Sequence, residues 1–235
     1  MNLAGPPNGY VATPVVVAEL AAGRAVKPVW VNELGGITFQ IDAPERTFLK
    51  WAPVGSPVDL RDEAVRLCWA VAYTRVPVVL ETGEDAEGTW LLTAGLPGES
   101  AVAGRWKADP ATAVRAIAEG LRAFHDTVPV DDCPFETWVA RREPLPPPDK
   151  LVVCHGDACS PNTLIGDDGR WSGHVDLGAL GVADRWADLA IATMSLDWNY
   201  GAGWQALLLE IYGIEPDDER ARYYRTLWNL DDVAP

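Results

Sequence analysis

The sequence predicts an α+β protein in which strands come first and helices follow. Short apolar runs bounded by turn residues fill much of the first 93 positions and are typical of strands. Later segments carry apolar residues at spacings of three and four, which is the pattern of amphipathic helices. At 235 residues the chain is long enough for one large domain or two small lobes.

Five short strands and one long helix are predicted in the N-terminal part of the chain. The strands are residues 29–32, 38–41, 47–50, 76–80 and 89–93. The first two are joined by a turn that contains Gly35 and Gly36, and residues 15–22 fit either a strand or a short helix. The helix, residues 59–74, has an apolar stripe made of Leu60, Ala64, Leu67, Cys68 and Val71.

Helices dominate the predicted C-terminal part. Residues 111–127 form one of them, because Asp109 supplies an N-cap and Pro110 suits the first helical position. The other predicted elements are strands at 151–154 and 172–175 and helices at 187–196, 204–212 and 216–230, with Gly213 as a C-cap. The tryptophans expected in the core or in a groove are Trp186, Trp198, Trp204 and Trp228.

The charge balance narrows the class of partner. Lys and Arg total 19 against 34 Asp and Glu, so the net charge is −15, which argues against nucleic-acid binding and is compatible with a cationic ligand. A solvated acidic surface explains the same charge without any ligand. Four cysteines without a C-x-x-C pair, no signal peptide at the first ten residues and no membrane-length apolar run predict a cytoplasmic protein.

Asp157 and Asp176 each follow a predicted strand close to a glycine, and Asn162 lies five positions after Asp157. The turn residues at 167–169 predict that the two strands pair, which would place both carboxylates at neighbouring strand ends. Phosphoryl transfer needs one carboxylate at the nucleophile and oxygen ligands for magnesium, and these residue types supply both. The alternative interpretation of Asp157 is a carboxylate that caps a turn.

This spacing resembles the working end of a protein-kinase-like phosphotransferase, and the chain is similar to the aminoglycoside phosphotransferase family, in particular to aminoglycoside 3'-phosphotransferases. The similar stretches are residues 62–67, 90–92, 96–98, 133–135, 155–157 and 172–189. The resemblance implies a two-lobed fold, with a small antiparallel-sheet N-lobe that contains one long helix and a mainly helical C-lobe. The expected parts are a nucleotide-binding lobe at 1–93, a linker at 94–98 and a catalytic and substrate lobe at 99–235.

The resemblance also implies roles for individual residues. Asp157 would accept the hydroxyl of the substrate, and Asn162 and Asp176 would hold Mg²⁺ beside the phosphates of ATP or GTP. The residues that would bind the nucleotide are Lys50 with its partner Glu63, Gly35 and Gly36 in the hairpin, and Ala94 and Leu96 in the linker. His155 and Asp188 would support the catalytic loop.

The residues alone leave alternatives open for several of these positions. Lys50 fits a surface lysine, Glu63 fits an ion pair with Arg66, and most Gly-Gly pairs are only turns. His125, near the end of its helix, fits a residue that packs or caps.

The substrate side departs from the family pattern. Only a short bridge joins residue 135 to His155, where the family carries a longer helical insertion, and Trp228 takes the place of a family carboxylate. The residues considered for substrate binding are Trp198, Trp228 and Asp231. The expected function is transfer of a phosphoryl group to a hydroxyl of an aminoglycoside or amino sugar. The alternatives are a kinase for another hydroxyl compound, such as a macrolide, peptide antibiotic or metabolite, and a nucleotide-binding relative without activity.

Overall fold

A computed structural model of the chain describes residues 4–42, 44–141 and 145–231. Contacts between Cα atoms divide the chain into two compact units. The first comprises residues 1–71 and 77–95, and the second comprises residues 72–76 and 96–235. The short stretch 72–76, which the sequence places in the N-terminal lobe, therefore groups with the second unit.

The first unit is built on one five-stranded antiparallel sheet. Its strand order is β1-β2-β3-β5-β4, so β1 pairs with β2 and β2 with β3, whereas β3 pairs with β5 and β4 lies at the edge. The elements are α1 Val15–Ala21, β1 Val26–Val31, β2 Ile37–Ile41, β3 Thr47–Pro53, α2 Leu60–Ala70, β4 Val79–Glu84 and β5 Gly88–Ala94. Residues 15–22, which fitted two interpretations, are helical, and Val17 is fully buried against Phe39 and Leu49.

Two predicted elements of the first unit differ from the structure. Strand β4 begins at Val79 instead of residue 76 and continues to Glu84 instead of ending at residue 80, because residues 81–84 pair with β5. Helix α2 ends at Ala70, and Cys68 and Val71 are exposed. Glu63 takes a place on the buried face instead, since its carboxylate is paired with a lysine there.

The second unit combines helices with two small sheets. Its elements are β6 Glu99–Ser100, α3 Gly104–Lys107, α4 Pro110–Thr127, β7 Leu151–Cys154, β8 Thr163–Ile165, β9 Trp171–His174, β10 Gly181–Asp184, α5 Trp186–Tyr200, α6 Gln205–Tyr212 and α7 Asp218–Asp231. Helix α4 begins as predicted, because the Asp109 carboxylate accepts the N–H of Thr112 at 3.3 Å and Pro110 is the first helical residue. Gly213 ends α6 in the left-handed conformation, at φ +86°.

The predicted pairing of the strands at 151–154 and 172–175 is wrong. Strand β7 pairs with β10, whereas β9 pairs with β8, and the turn at 167–169 joins β8 to β9. Strands β8 and β10 were not predicted, because stretches of three and four residues carry too little periodicity to be recognised.

The core of the second unit lies among α4, α5, α6 and the strand β7. Trp186 is 1% exposed and belongs to it, but Trp198 is 60% exposed, so the expectation of a core position is wrong for that residue. Trp228 is half-buried and packs edge-to-face on Trp138, with ring centroids 5.4 Å apart. Within the described ranges, no helix combines the length and the apolar character needed to cross a bilayer.

Candidate active site

A tight loop follows β7 and presents Asp157. Gly156 adopts φ +86°, a conformation that residues with a side chain rarely adopt. A Cβ added to Gly156 would also lie 2.0 Å from the main-chain oxygen of Ala179. Glycine is therefore required immediately before Asp157, because both the backbone conformation and the close approach to the loop at residue 179 exclude a side chain.

Asp157 is held by hydrogen bonds to its main chain. Its N–H donates to Nδ1 of His155 at 3.3 Å, and its carbonyl oxygen accepts Nδ2 of Asn162 at 3.0 Å. One carboxylate oxygen, Oδ1, accepts the N–H of Cys159 at 3.4 Å. Asn162 closes a single 3₁₀ turn, residues 160–162, which explains why five positions separate it from Asp157.

Asp176 is tied to the same loop through the residue before it. The N–H of Val175 donates to the Asn162 carbonyl oxygen, and the Val175 carbonyl accepts Nε2 of His155, both at 3.0 Å. Asp176 itself has φ +68°, an uncommon value for a residue other than glycine, and such values often occur at functional sites. The structure therefore brings Asp157, Asn162 and Asp176 together, although the strands that carry them do not pair.

The His155 ring acts as the connector between the two acidic positions. Its Nδ1 accepts the Asp157 N–H, so the ring proton lies on Nε2, which donates to the Val175 carbonyl. His155 is 1% exposed, which keeps water from competing for either bond. This arrangement agrees with the expectation that His155 fixes the loop instead of serving as an acid or base.

The two carboxylates influence each other electrostatically. Burial raises the pKa of Asp157, and the nearby negative charge of Asp176 raises it further. The hydrogen bonds from Cys159 and Asn162 and the His155 ring act in the opposite direction. A pair of neighbouring carboxylates is an environment that a cation would stabilise.

Asp188, at the start of α5, braces the loop from behind. It is 0% exposed, and its two oxygens accept main-chain N–H groups, Oδ2 from His155 at 2.6 Å and Oδ1 from Gly156 at 3.0 Å. The Nε2 atom of His125 lies 3.0 Å from Oδ2. The sequence indicated a supporting role for Asp188 but gave no signal for His125, because a histidine inside a helix has no fixed spacing to a partner 63 positions away.

His125, Cys154 and Asp188 form a buried cluster whose ligand atoms all lie within 4.8 Å of one another. Burial and the carboxylates of Asp188 and Asp184 raise the pKa of the Cys154 thiol well above its usual range, and its Sγ lies 3.5 Å from the Asp184 main-chain oxygen. Asp188 is already occupied by the N–H groups of the loop. The cluster is therefore a hydrogen-bonded support.

In the first unit, Lys50 and Glu63 form the ion pair that the resemblance implied. Lys50 lies within β3, and its Nζ is 2.6 and 2.9 Å from the two oxygens of Glu63. The lysine side chain is 23% exposed and the glutamate 5%. Arg66, considered as a partner of Glu63, forms an ion pair with Asp62, one helical turn earlier.

The glycine turn between β1 and β2 uses its N–H groups internally. The side-chain oxygen of Asn32 accepts the N–H of Gly36 at 2.6 Å, and its main-chain oxygen accepts the N–H of Gly35 at 3.4 Å. Ala94 ends β5, and its N–H donates to the Val78 carbonyl at 2.9 Å. Nucleotide contacts by Gly35, Gly36, Ala94 and Leu96 stay predictions.

The two tryptophans considered for substrate binding, Trp198 and Trp228, lie in different surroundings. Trp198 projects from α5 into solvent, whereas Trp228 of α7 contacts Trp138 in the short bridge. The side chain of Asp231 lies outside the described part of the chain. Substrate contacts by these three residues also stay predictions.

Known proteins match both the sequence and the fold. A model of the phosphotransferase enzyme family matches residues 134–224. The aminoglycoside 3'-phosphotransferase of Streptomyces fradiae is 35% identical over 220 aligned positions, which cover 75% of this chain and 81% of that protein. The crystal structure of a type VIII aminoglycoside 3'-phosphotransferase matches with a TM-score of 0.71 at 26% identity, over 86% of this chain and 92% of that one.

A complex is also among the similar structures. The aminoglycoside phosphotransferase APH(3'')-Id of Streptomyces rimosus, in complex with ADP and streptomycin, matches with a TM-score of 0.67 at 26% identity, over 90% of this chain and 97% of that one.

The alignment with the Streptomyces fradiae protein shows that the two chains differ in length within the aligned region. Three quarters of 235 residues is about 176, so about 44 of the 220 aligned positions have no residue in this chain. The chain is therefore shorter within the aligned region, in agreement with the short bridge that the sequence indicates between residues 135 and 155.

Proposed function

This chain belongs to the aminoglycoside phosphotransferase family and is a phosphotransferase, and on that basis we propose that it transfers the γ-phosphoryl group of ATP or GTP to a hydroxyl of an aminoglycoside or a related amino sugar. The observation that carries this proposal is that Asn162 is hydrogen-bonded directly to Asp157, and that Val175, the residue before Asp176, is hydrogen-bonded to both Asn162 and His155. Asp157, Asn162 and Asp176 are the residue types that phosphoryl transfer needs, at the spacing that it needs.

The first unit supplies the nucleotide contacts in this proposal. The Lys50–Glu63 pair holds the lysine ammonium in one position while the lysine side chain stays 23% exposed, and in this proposal the ammonium contacts the α- and β-phosphates. A similar structure contains ADP, which supports an adenine nucleotide as co-substrate. Residues 1–93 would then act as the nucleotide lobe and residues 94–98 as the linker, with Ala94 and Leu96 facing the base.

The residues of the loop fit a magnesium ion. Magnesium prefers carboxylate and amide oxygens, and Asp176 and Asn162 offer those atoms. Nδ2 of Asn162 donates to the Asp157 carbonyl, so Oδ1 is the atom that this side chain presents to a cation. Mg²⁺ bound there would neutralise charge on the transferred phosphate. The raised pKa of Asp157, caused by burial and by Asp176, also supports a bound cation, because a positive charge would reduce the repulsion between the two carboxylates.

Asp157 would position and deprotonate the acceptor. Its carboxylate accepts the hydrogen bond of the substrate hydroxyl while the hydroxyl oxygen bonds to the γ-phosphorus and the bond to the ADP oxygen breaks. The hydroxyl proton passes to Asp157, and the products are ADP and a phosphate ester. The main-chain bonds to His155 and Asn162, together with the bond from the Cys159 N–H to Oδ1, would hold the carboxylate in place for the acceptor.

The class of acceptor in this proposal rests on the similar proteins and on the net charge of the chain. Aminoglycosides carry several ammonium groups, and a chain with a net charge of −15 attracts such cations. The curated relative acts on aminoglycosides by name, and the similar complex contains streptomycin. A second candidate is a different hydroxyl compound, which the absence of about 44 aligned positions favours, because fewer residues are available to surround a large polycation.

The test is a substrate screen. Purified protein with Mg²⁺ and either ATP or GTP is incubated with a panel of aminoglycosides that includes streptomycin and hygromycin B, and with amino sugars and macrolides. ADP or GDP release is followed by a coupled assay, and the phosphorylated product is identified by mass spectrometry. An Asp157→Asn variant is the matched control, because it keeps the shape of the side chain but removes the proton acceptor.

Turnover of an aminoglycoside that disappears in the Asp157→Asn control supports the proposal. If only a macrolide or another alcohol is phosphorylated, the proposed reaction is right but the proposed class of acceptor is wrong. If no compound is phosphorylated although nucleotide binds, the chain is a non-catalytic nucleotide-binding relative, and the proposed function is wrong.

A further inference from the structure

Behind the catalytic loop, a continuous row of buried polar side chains leads from the surface to the N–H groups of His155 and Gly156. The row begins at Arg185 and passes through Tyr212 and His125 to the Asp188 carboxylate. Tyr212 Oη lies 2.9 Å from Nδ1 of His125, and Nε2 of the same ring lies 3.0 Å from Oδ2 of Asp188. The side chains of His125 and Asp188 are 0% and 1% exposed.

With a neutral His125 ring and an ionised Asp188, the direction of each hydrogen bond in the row follows from the chemistry of the groups. An ionised carboxylate only accepts, so Nε2 of His125 must donate to Asp188. A neutral ring that carries its proton on Nε2 has an acceptor at Nδ1, and the Tyr212 hydroxyl is then the donor. The other oxygen contacts of Asp188 are the loop N–H groups of His155 and Gly156.

Arg185 orients the hydroxyl of Tyr212. The guanidinium is anchored by Asp149, with Nε 2.6 Å from Oδ2, and it acts on the Tyr212 oxygen through its charge and through a hydrogen bond. A cation beside that oxygen favours the orientation in which the O–H points away, toward His125. Burial raises the pKa of Tyr212 to about 12, so the hydroxyl keeps its proton at neutral pH.

We propose that His125 and Tyr212 are positioning residues for phosphoryl transfer, in which the Tyr212 hydroxyl selects the Nε2–H form of His125 and that N–H holds Asp188 against the catalytic loop. This inference rests on the proposed function, since the loop positions Asp157. Two residues with no place in the site itself would thereby set the position of its carboxylate.

The reason lies in what a different tautomer would do. If the ring proton moved to Nδ1, the lone pair of Nε2 would face the buried Asp188 carboxylate, and an acceptor opposite an acceptor is destabilising. Asp188 would then shift, and with it the N–H groups of His155 and Gly156 that it binds at 2.6 and 3.0 Å. The main chain at Gly156 is packed tightly against residue 179, because a Cβ added to Gly156 would lie 2.0 Å from the Ala179 oxygen.

The first test does not depend on catalysis. Amide hydrogen exchange of His155 and Gly156 is measured by NMR in the full chain and in Tyr212→Phe, and ¹⁵N shifts of His125 report its tautomer. We expect the His125 signals to change and both loop amides to exchange about tenfold faster or more, the effect of weakening a hydrogen bond to a charged group. Tyr224→Phe is the matched control, because it removes another buried tyrosine hydroxyl that contacts a carboxylate, Asp184 at 3.4 Å.

The second test separates positioning from binding. With the acceptor found in the screen, Tyr212→Phe and His125→Phe should lower kcat about tenfold or more and leave the KM for the nucleotide unchanged. His125→Gln should recover much of the loss, because its side-chain N–H can donate to Asp188 in the place of Nε2. The melting temperature of each variant shows whether it is folded. If His125→Phe does not fold, the kinetic test is made with Tyr212→Phe alone.

Unchanged exchange at His155 and Gly156 in Tyr212→Phe would overturn the inference, as would a kcat equal to that of the unaltered chain. An equal loss in Tyr224→Phe would show a general packing effect and would overturn it as well. If the unaltered chain phosphorylates nothing, the proposed function is wrong, but the exchange and tautomer measurements still decide whether His125 and Tyr212 hold the loop.

Discussion

The main-chain carbonyl of Asp157 accepts the side-chain amide of Asn162 at 3.0 Å, across a 3₁₀ turn that ends at Asn162. This bond fixes the side-chain amide of Asn162 relative to the main chain of Asp157. Because Nδ2 is the donor, Oδ1 is the atom that the amide can offer to another group. The remaining link, from Val175 to the Asn162 carbonyl, brings Asp176 to the same place.

Asp157→Asn should reduce activity and increase stability. We expect kcat to fall by at least about two to three orders of magnitude, the usual effect of removing a catalytic proton acceptor, with nucleotide affinity retained. The pKa of Asp157 in the folded chain is raised, so its protonation favours folding, and the free energy of unfolding rises as pH falls through that pKa. Asn resembles the protonated form, so the metal-free variant should melt at a higher temperature at neutral pH, as measured by calorimetry. A lower Tm would contradict this.

Asp176→Asn tests the coupling between the two carboxylates. Burial is the larger cause of the raised pKa of Asp157 and remains, but the charge of Asp176 is removed, so that pKa should decrease. A ¹³C NMR titration of the Asp157 carboxyl group in metal-free protein measures it directly. The variant should also lose the thermal shift produced by Mg²⁺ and ATP. Asp168→Asn, in an exposed turn, is the control and should change neither quantity.

The Lys50–Glu63 pair allows stability and nucleotide binding to be separated. Lys50→Met alone leaves a carboxylate that is 5% exposed without its ammonium partner, at a cost of about 3 kcal/mol, the lower end for buried pairs because Lys50 itself is 23% exposed. The double variant Lys50→Met with Glu63→Leu should regain most of that stability, since an apolar pair of similar volume replaces two charges. Nucleotide affinity, measured by calorimetric titration, should stay low in both. Restored affinity in the double variant would remove Lys50 from its proposed role.

Gly156→Ala and Gly201→Ala form a matched pair. Both glycines have positive φ, +86° and +82°, a region that alanine rarely adopts, so each substitution carries a conformational cost. Nothing lies within 4 Å of a Cβ at Gly201, whereas at Gly156 the oxygen of Ala179 would be 2.0 Å away. Gly156→Ala should therefore be destabilised by more than Gly201→Ala in urea unfolding, and it alone should lose activity. Equal effects would mean that the loop can move without consequence for Asp157.

Trp198→Ala examines a proposed substrate contact. The indole is 60% exposed, so its removal should change the free energy of unfolding by no more than about 0.5 kcal/mol. If Trp198 lines the acceptor site, the KM for the acceptor should rise roughly tenfold, as expected for loss of a stacking aromatic contact, without a change for the nucleotide. Trp204→Ala is the comparison, because Trp204 packs against the core and its removal should reduce stability instead. An unchanged acceptor KM would exclude Trp198 from the site.

Long, well-marked elements of the fold could be predicted from the sequence. Helix α4 has both an N-cap and a first-position proline, and the hairpin of β1 and β2 has glycines at its turn, so local rules suffice. The short strands β8 and β10 could not be predicted, because a strand of three or four residues is stabilised by its partners and not by its own pattern. That omission produced the wrong pairing of β7 with β9.

The sequence by itself determined the class of reaction that can be predicted, because the types and spacing of Asp157, Asn162 and Asp176 are local properties of the chain. The tertiary structure decided how these residues are held together. Asp188 lies more than 30 positions from the loop that it braces, and no rule of spacing connects His125 or Tyr212 to either. Hydrogen bonds between distant residues form only where packing excludes water, so the support of the loop could be identified only from the folded chain.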